Sequence, residues 1–287
     1  LGLGSISIGA PFFNQMFTLL IVPFVLFLGL GPLTRWKHQP ASQVQKTLLI
    51  AFGLSVSAGV LINFTYDAPT YMAALGLVLS AWILITTTLE VVQRVSAMDT
   101  SLSAFERLRK LTPSHWGMIL GHLGFAVTLI GITLVSNYEV ERDVRMMPGE
   151  SVTLSGYEFA FRKVEQRTGP NYTADVGIFD VYESGDKLVH LEPEKRLYLV
   201  QRMPMTEAGI YSTIFRDLFI AMGEPLDDGA WAIRVYIKPF VTWIWAGAVI
   251  MAIGGICSMS DKRYRMAKVA KVRTAVGGVA TGEEVEA

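Results

Sequence analysis

The sequence contains one cysteine, Cys257, and few charged residues for its length of 287. A single cysteine excludes an internal disulfide. Charged residues make up 17% of the chain, whereas soluble domains carry about a quarter. The charges balance to zero, so the composition gives no indication of a nucleic-acid partner. A Gly-rich phosphate loop, a His-Glu-x-x-His motif and a nucleophile elbow are also missing from the sequence, which leaves hydrolase and nucleotide-driven functions without support.

Apolar residues are abundant and are grouped into long segments. They account for 51% of the chain, and the mean hydropathy is +0.39. Segments near 20 residues in length are typical of helices that cross a bilayer. We predict a membrane region over residues 1–136 with four such helices, followed by a fifth helix near the end of the chain. The predicted spans are 16–33, 47–62, 71–92, 114–135 and 239–260.

The basic residues indicate how these spans are oriented. Lys and Arg concentrate after the first, third and fifth spans, which places those loops in the cytoplasm by the positive-inside rule. The N-terminus and residues 137–238 are then expected on the periplasmic side. Residues 261–287 are expected to form a cytoplasmic tail, first basic and then disordered. Because the chain begins without Met or a signal peptide, it is interpreted as the C-terminal part of something longer.

Residues 137–238 have the pattern of a β-rich domain. Apolar residues alternate or run at strand length, with turn signals between the segments. Strands are predicted at 151–154, 157–161, 176–182, 196–200 and 231–237, and a short helix is predicted near 212–222. The expected fold class is therefore a polytopic α-helical membrane protein of about five transmembrane helices, with a small antiparallel β domain, a sandwich or open barrel, inserted on the periplasmic side.

His122 is the residue of this apolar framework that most needs an explanation. It lies about two turns into the fourth span, which contains no acidic or basic residue besides histidine. An ionisable group at such a position is a functional-site hypothesis by default, because an unsatisfied ring nitrogen in hydrocarbon costs free energy. Two interpretations remain open: ligation of haem iron, which is commonly held by His, or a hydrogen bond to another helix.

Glycines recur along one side of the same span, at Gly117, Gly121, Gly124 and Gly131. A stripe of small residues usually allows a neighbouring helix to approach closely. A smooth face beside His122 also suits a planar macrocycle. We therefore predict Gly121 and Gly124 as cofactor-binding residues, with helix packing as the alternative.

Charged residues follow the fourth span at Arg142, Asp143 and Arg145, where the sequence predicts a loop. They form either surface ion pairs or a docking site for carboxylates such as haem propionates, since Arg pairs with planar anions through two hydrogen bonds. His115 and Glu90 are interpreted as interfacial residues, and His38 and His190 as solvated or strand residues. No catalytic residue is predicted.

Four runs of sequence resemble a known family. They are IGAPFFN at 8–14, HWGMILGHLG at 115–124, NYEVERDVRM at 137–146 and GAWAIRVYIKPFVTWIW at 229–245. In these runs the chain resembles the C-terminal part of CcmF, the large membrane subunit of the bacterial cytochrome c maturation haem lyase. The resemblance covers nearly the whole chain except its tail.

The resemblance implies a function in attaching haem covalently to the Cys-x-x-Cys-His motif of apocytochromes c, by forming thioethers. Members of the family hold a haem b within the membrane between two histidines, and His122 falls on one of those positions. We predict Arg142 and Arg145 as further cofactor-binding residues. The second ligand and the tryptophan-rich periplasmic segment of the family precede this stretch, so the chain alone is expected to be an incomplete haem lyase.

The family also implies a location and a set of partners. The location is the bacterial cytoplasmic (inner) membrane, and the partners are the lipid bilayer, apocytochrome c, the haem chaperone CcmE, subunits of the CcmH and CcmI types and the N-terminal half of the family's chain. Two alternatives remain: a non-catalytic assembly subunit that docks apocytochrome or haem chaperone, and the paralogue dedicated to cytochrome c nitrite reductase.

Overall fold

The computed structural model describes residues 9–34, 41–66, 68–200 and 202–261. The predicted tail beyond residue 261 and most of the first basic loop, including His38, lie outside the described residues. The chain forms two compact units. The helical unit falls within residues 1–67, 77–127 and 246–287, and the β unit comprises residues 68–76 and 128–245.

Six α-helices are present in the part of the chain that the structure describes. They are α1 (Ala10–Leu30, continued by a 3-10 turn at Gly31–Leu33), α2 (Ala41–Asn63), α3 (Tyr71–Ser96), α4 (Ala104–Arg109), α5 (Pro113–Tyr138) and α6 (Val241–Met259). All but the short α4 contain a stretch long and apolar enough to cross a membrane, judged by length and composition. The prediction of about five transmembrane helices is therefore confirmed.

Close backbone approach holds the helical unit together. Trp82 of α3 is buried and its indole N–H donates to the Leu26 carbonyl of α1 at 3.2 Å. A Cβ atom added at Gly29 would lie 2.3 Å from the same indole nitrogen, and one added at Gly59 of α2 would lie 2.5 Å from the backbone nitrogen of Val78. Glycine is therefore required at both positions for α1 and α2 to pack on α3.

The β unit is built from ten strands in two antiparallel sheets. One sheet has the order β1-β10-β9-β8, and the other has the order β2-β3-β4-β6-β7, with β5 also paired to β4. The strands are β1 (Val140–Met146), β2 (Ser151–Leu154), β3 (Tyr157–Thr168), β4 (Tyr172–Glu183), β5 (Asp186–Leu191), β6 (Glu194–Tyr198), β7 (Pro204–Glu207), β8 (Gly209–Ser212), β9 (Arg216–Pro225) and β10 (Trp231–Pro239).

An apolar core joins the two sheets. The rings of Phe161 and Phe179 stack with their centroids 4.5 Å apart, and both are fully buried. Leu218 and Ile220 of β9 and Val235 of β10 complete the interior from the other sheet. The predicted small antiparallel β domain is therefore confirmed, and its form is a sandwich.

Two local predictions are wrong. The helix expected near 212–222 is mostly strand β9, in which Leu218, Ile220 and Met222 point into the core at every second position. The loop expected after the fourth span is strand β1, which pairs with β10 in antiparallel register. Its first six residues are largely exposed, because β1 lies at the edge of its sheet, where charged residues are common.

Candidate functional site

His122 lies on α5, and both of its ring nitrogens face backbone carbonyl oxygens. Nδ1 is 2.8 Å from the carbonyl oxygen of Met118, one turn earlier in the same helix. Nε2 is 3.3 Å from the carbonyl oxygen of Leu28, which belongs to α1. The side chain is partly buried in the helical unit.

A neutral imidazole has only one N–H, so it can donate to only one of these carbonyls. The shorter contact assigns the hydrogen to Nδ1, which leaves the lone pair of Nε2 facing the Leu28 oxygen, itself an acceptor. Histidines that bind metals usually donate their other ring N–H to a carbonyl or carboxylate, which fixes the tautomer and the ring orientation. His122 therefore fits the ligand of a haem iron at Nε2. If the hydrogen is on Nε2 instead, His122 donates to the Leu28 carbonyl of α1 and fits the alternative of a hydrogen bond between helices.

The glycines of α5 divide into two groups. A Cβ atom at Gly117 or Gly124 would lie 2.5 Å from the carbonyl oxygen of Gly254 or Gly247 on α6. These two glycines therefore let α6 approach closely. A Cβ atom at Gly121 would meet no atom of the described residues within 4 Å, apart from its chain neighbours and the nearby backbone of its own helix. Helix packing accounts for the Gly124 position, and Gly121 borders open space.

Arg142 and Arg145 belong to the β unit and not to the unit that contains His122. Arg142 donates from Nη1 to the Thr153 carbonyl at 3.2 Å. Arg145 forms an ion pair with Asp228, and its hydrogen bond lowers the pKa of the Asp228 carboxyl. Within the described residues, the contacts of the His122 ring nitrogens come from α5 and α1.

A pair of ionisable residues in the helical unit was not foreseen from the sequence. Glu90 of α3 is 5% exposed, and its Oε1 accepts a hydrogen bond from Nε of Arg94 at 2.7 Å. Its Oε2 lies 3.0 Å from Nε2 of His115 on α5. That contact lacks hydrogen-bond geometry, and neither atom has a hydrogen-bond partner among the described residues. The structure therefore brings together two residues that the sequence predicts only as interfacial.

The described residues contain no cluster of three or more His, Cys, Asp or Glu side chains that could hold a metal ion. Haem iron needs fewer ligands from the protein, because the porphyrin supplies four ligands and the chain supplies only the axial ones. His122 meets that requirement without a cluster.

Comparisons with known proteins agree with this architecture. Residues 137–239 match the family model described as the CcmF C-terminal beta-sandwich. The cytochrome c-type biogenesis protein CcmF of Haemophilus influenzae is 44% identical over 266 residues, which are 92% of this chain and 41% of the relative. The CcmF of Escherichia coli is 45% identical over 265 residues, with 92% and 40% covered.

A solved structure of the cytochrome c haem lyase CcmF has the same fold, with a TM-score of 0.70 at 20% identity over 88% of this chain and 41% of that one. The fold and these matches define a class, the polytopic membrane proteins with a β sandwich inserted before the last helix. Within that class, residues 137–239 form the CcmF C-terminal beta-sandwich, and the chain is similar to the C-terminal part of the cytochrome c-type biogenesis protein CcmF over 92% of its length. It spans about two fifths of the length of the relatives it matches.

Proposed function

We propose that this chain is the C-terminal part of a cytochrome c haem lyase in the bacterial inner membrane, and that His122 is an axial ligand of a haem b. The observation that carries the proposal is the carbonyl contact of Nδ1, which leaves the lone pair of Nε2 as a possible ligand of iron. The similarity to CcmF supports haem as the cofactor, and the apolar length of α5 supports a position within the bilayer.

The residues around His122 would each do a separate task. The Met118 carbonyl accepts the N–H of Nδ1 and fixes the ring plane, and Gly124 holds α5 against α6. Gly121 has no side chain, and the described structure around its missing Cβ is open to a flat ligand. Binding iron at Nε2 replaces its contact with the Leu28 carbonyl. When bound, the haem supplies one-electron redox chemistry, which the reduction of incoming haem requires.

The arginines of β1 form a weaker part of the proposal. Arg145 already pairs with Asp228, so a haem propionate could bind Arg145 only after that ion pair opens. Arg142 contacts a neutral carbonyl, so its charge is better placed to bind a carboxylate. We propose that Arg142 contributes more than Arg145 to any propionate contact.

The β unit is proposed to lie in the periplasm and to position apocytochrome c, the haem chaperone CcmE and the CcmH and CcmI type subunits. Its core is made of packed apolar side chains, which support a docking platform and no catalytic centre. Deleting residues 151–232 should reduce cytochrome c yield and partner co-purification, and unchanged values for both would contradict this function.

Two other functions remain as candidates. An assembly subunit that only docks its partners is favoured by the carbonyl contacts of both ring nitrogens of His122, which a packing histidine would also make. A paralogous biogenesis protein is less well supported. The NrfE protein of Haemophilus influenzae is 32% identical to this chain, whereas the CcmF protein of the same bacterium is 44% identical.

A reduced-minus-oxidised absorption spectrum tests the proposal. The chain is purified from membranes together with its N-terminal half, beside His122→Ala and the control His190→Ala, whose residue lies in the β unit. A low-spin b-type signal should be present in the unmodified protein and in His190→Ala and lost in His122→Ala. An equal signal in all three would indicate that His122 only packs between helices and would favour the docking-subunit function.

A further inference from the structure

The pair formed by Glu90 and His115 is the most buried contact between ionisable side chains in the described part of the helical unit. The side chains are 6% and 10% exposed, and Glu90 Oε2 and His115 Nε2 are 3.0 Å apart. Ionisable groups on apolar helices that could cross a membrane are costly to keep and mark functional sites by default. The proposed haem site uses neither residue.

Charged groups on three elements contact Glu90 or the chain segments near the pair. Arg94 on α3 pairs with the other oxygen of Glu90, and its own side chain is half exposed. Arg107 on α4 donates from Nη1 to the Val95 carbonyl, while its buried Nε makes no hydrogen bond within the described ranges. Asp261, after α6, accepts from the backbone N–H of Ser114 at 3.3 Å.

The protonation state of the pair decides how favourable the contact between Glu90 and His115 is. A carboxylate oxygen and an imidazole nitrogen at 3.0 Å repel each other unless a hydrogen lies between them, and neither atom has another partner in the described structure. A neutral imidazole that carries its hydrogen on Nε2 removes this repulsion. A further proton on the ring makes the contact charge-assisted, which is among the stronger kinds of hydrogen bond.

His115 and His122 lie on the same side of the same helix. They are seven residues apart, which is about two turns, about 10 Å along the axis and about 20° in rotation. Charges at this separation interact appreciably where the surroundings are apolar and poorly screened. A change of charge at a metal bound to His122 would therefore change the proton affinity of the pair, and the reverse.

We propose that Glu90 and His115 form a proton-exchange site that takes up one proton when an iron ligated by His122 gains one electron. This inference rests on the proposed haem site. The electron comes from an external one-electron reductant, and the iron passes from ferric to ferrous. The proton comes from water and is held by the His115 imidazole, which donates from Nε2 to Glu90 Oε2. Oxidation of the iron releases both, so the net charge of the helical unit is the same in the two states.

A redox titration at several pH values tests the inference on the haem-loaded protein with its N-terminal half. The midpoint potential of the unmodified protein should fall as the pH rises within about pH 5 to 9, where imidazoles titrate. Glu90→Gln should abolish this dependence. The matched control is Asp180→Asn, because Asp180 and His190 form a carboxylate–imidazole contact of the same 3.0 Å in the β unit. The control should keep the dependence.

The outcomes separate this inference from the function on which it rests. Absence of any b-type signal would overturn both. A b-type signal with a potential independent of pH, or a dependence kept in Glu90→Gln, would overturn the proton site alone. A reduced-minus-oxidised infrared spectrum of the unmodified protein gives a readout that needs no variant. It should contain a carboxyl or imidazole protonation signal, and its absence would contradict the inference even if Glu90→Gln fails to fold.

Discussion

The helical unit and the β unit have interiors of opposite kinds. The β unit buries large apolar side chains completely, with Phe159, Phe161 and Phe179 all fully enclosed. The helical unit buries small and polar residues such as Ser55 and Thr86, whose hydroxyls donate to carbonyls of their own helices at 2.7 Å. Its large apolar residues are mostly exposed on the helix surfaces; examples are Leu19, Leu20, Phe27, Leu61 and Val249 on α1, α2 and α6.

The difference follows from the solvent that each unit is built for. In water, burying apolar area is the main driving force, so the β unit needs a large apolar core. Helices in lipid gain little from burying apolar side chains, so they associate through close backbone approach and internal hydrogen bonds. Substitutions should therefore have different effects in the two units.

The largest effect is expected for Phe161→Ala. The substitution removes a fully buried ring that stacks on Phe179, so it should destabilise the β unit by about 3–5 kcal/mol. Chemical unfolding of the detergent-solubilised chain, followed by hydrogen exchange in the strands, measures the loss. Leu197→Ala is the control, because Leu197 is 45% exposed and should change stability by less than about 1 kcal/mol. Equal losses would contradict a water-type core.

The second prediction compares two glycines of α5. Gly124→Ala puts a methyl group 2.5 Å from the Gly247 carbonyl oxygen, so α5 and α6 must separate, at a cost of about 1–3 kcal/mol. Gly121→Ala meets no atom within 4 Å, and alanine favours the helix, so it should leave the thermal stability in detergent unchanged or slightly raised. If both variants lost the same stability, close packing would not explain the difference between the two positions.

The third prediction concerns a hydrogen bond between helices. Trp82→Phe removes the indole N–H that donates to the Leu26 carbonyl, while it keeps an apolar ring in place. Such bonds contribute about 0.6–1.5 kcal/mol, so the thermal stability of the helical unit should fall modestly. Trp245→Phe is the control, because Trp245 is 72% exposed and should have no comparable effect. A larger loss in the control would contradict a polar interior of the helical unit.

The sequence predicts the membrane helices well because length and apolar composition determine them directly. The strands were harder to predict. Leu218 to Met222 is an uninterrupted apolar run, and such a run cannot be assigned to strand or helix from its period. Strand β1 escaped prediction because its exposed position at a sheet edge selects charged residues and removes the alternation of apolar ones.

The residues of the candidate site also differ in whether the sequence predicts them. His122 could be identified from the sequence because an ionisable residue interrupts an apolar run. The pair of Glu90 and His115 could not, because the two residues are 25 positions apart on different helices and meet only through tertiary packing. Similarly, Gly121 and Gly124 are both predicted from the sequence as cofactor-binding residues, whereas the position of α6 distinguishes them.

The smallest effect is expected in the β unit at alkaline pH, at Tyr157. Its hydroxyl donates to Glu183 Oε1 at 2.8 Å, and Arg216 lies 4.6 Å from its ring centroid. Burial first, and then the hydrogen bond to Glu183, raise the pKa of Tyr157 to about 12 from an ordinary value of 10.0. Between these two values the folded chain keeps a proton that the unfolded chain releases.

The stability of the β unit should therefore fall as the pH rises from about 10 to about 12, and Tyr157 should add no pH dependence below that window. Because other tyrosines and lysines also titrate there, the measured quantity is the difference in unfolding free energy between the unmodified chain and Tyr157→Phe across the window. That difference should change in favour of the phenylalanine variant as the pH rises. A difference that stays constant, or a tyrosinate absorbance for Tyr157 that appears near pH 10, would show that the ring is not shielded from water as a core residue of this unit should be.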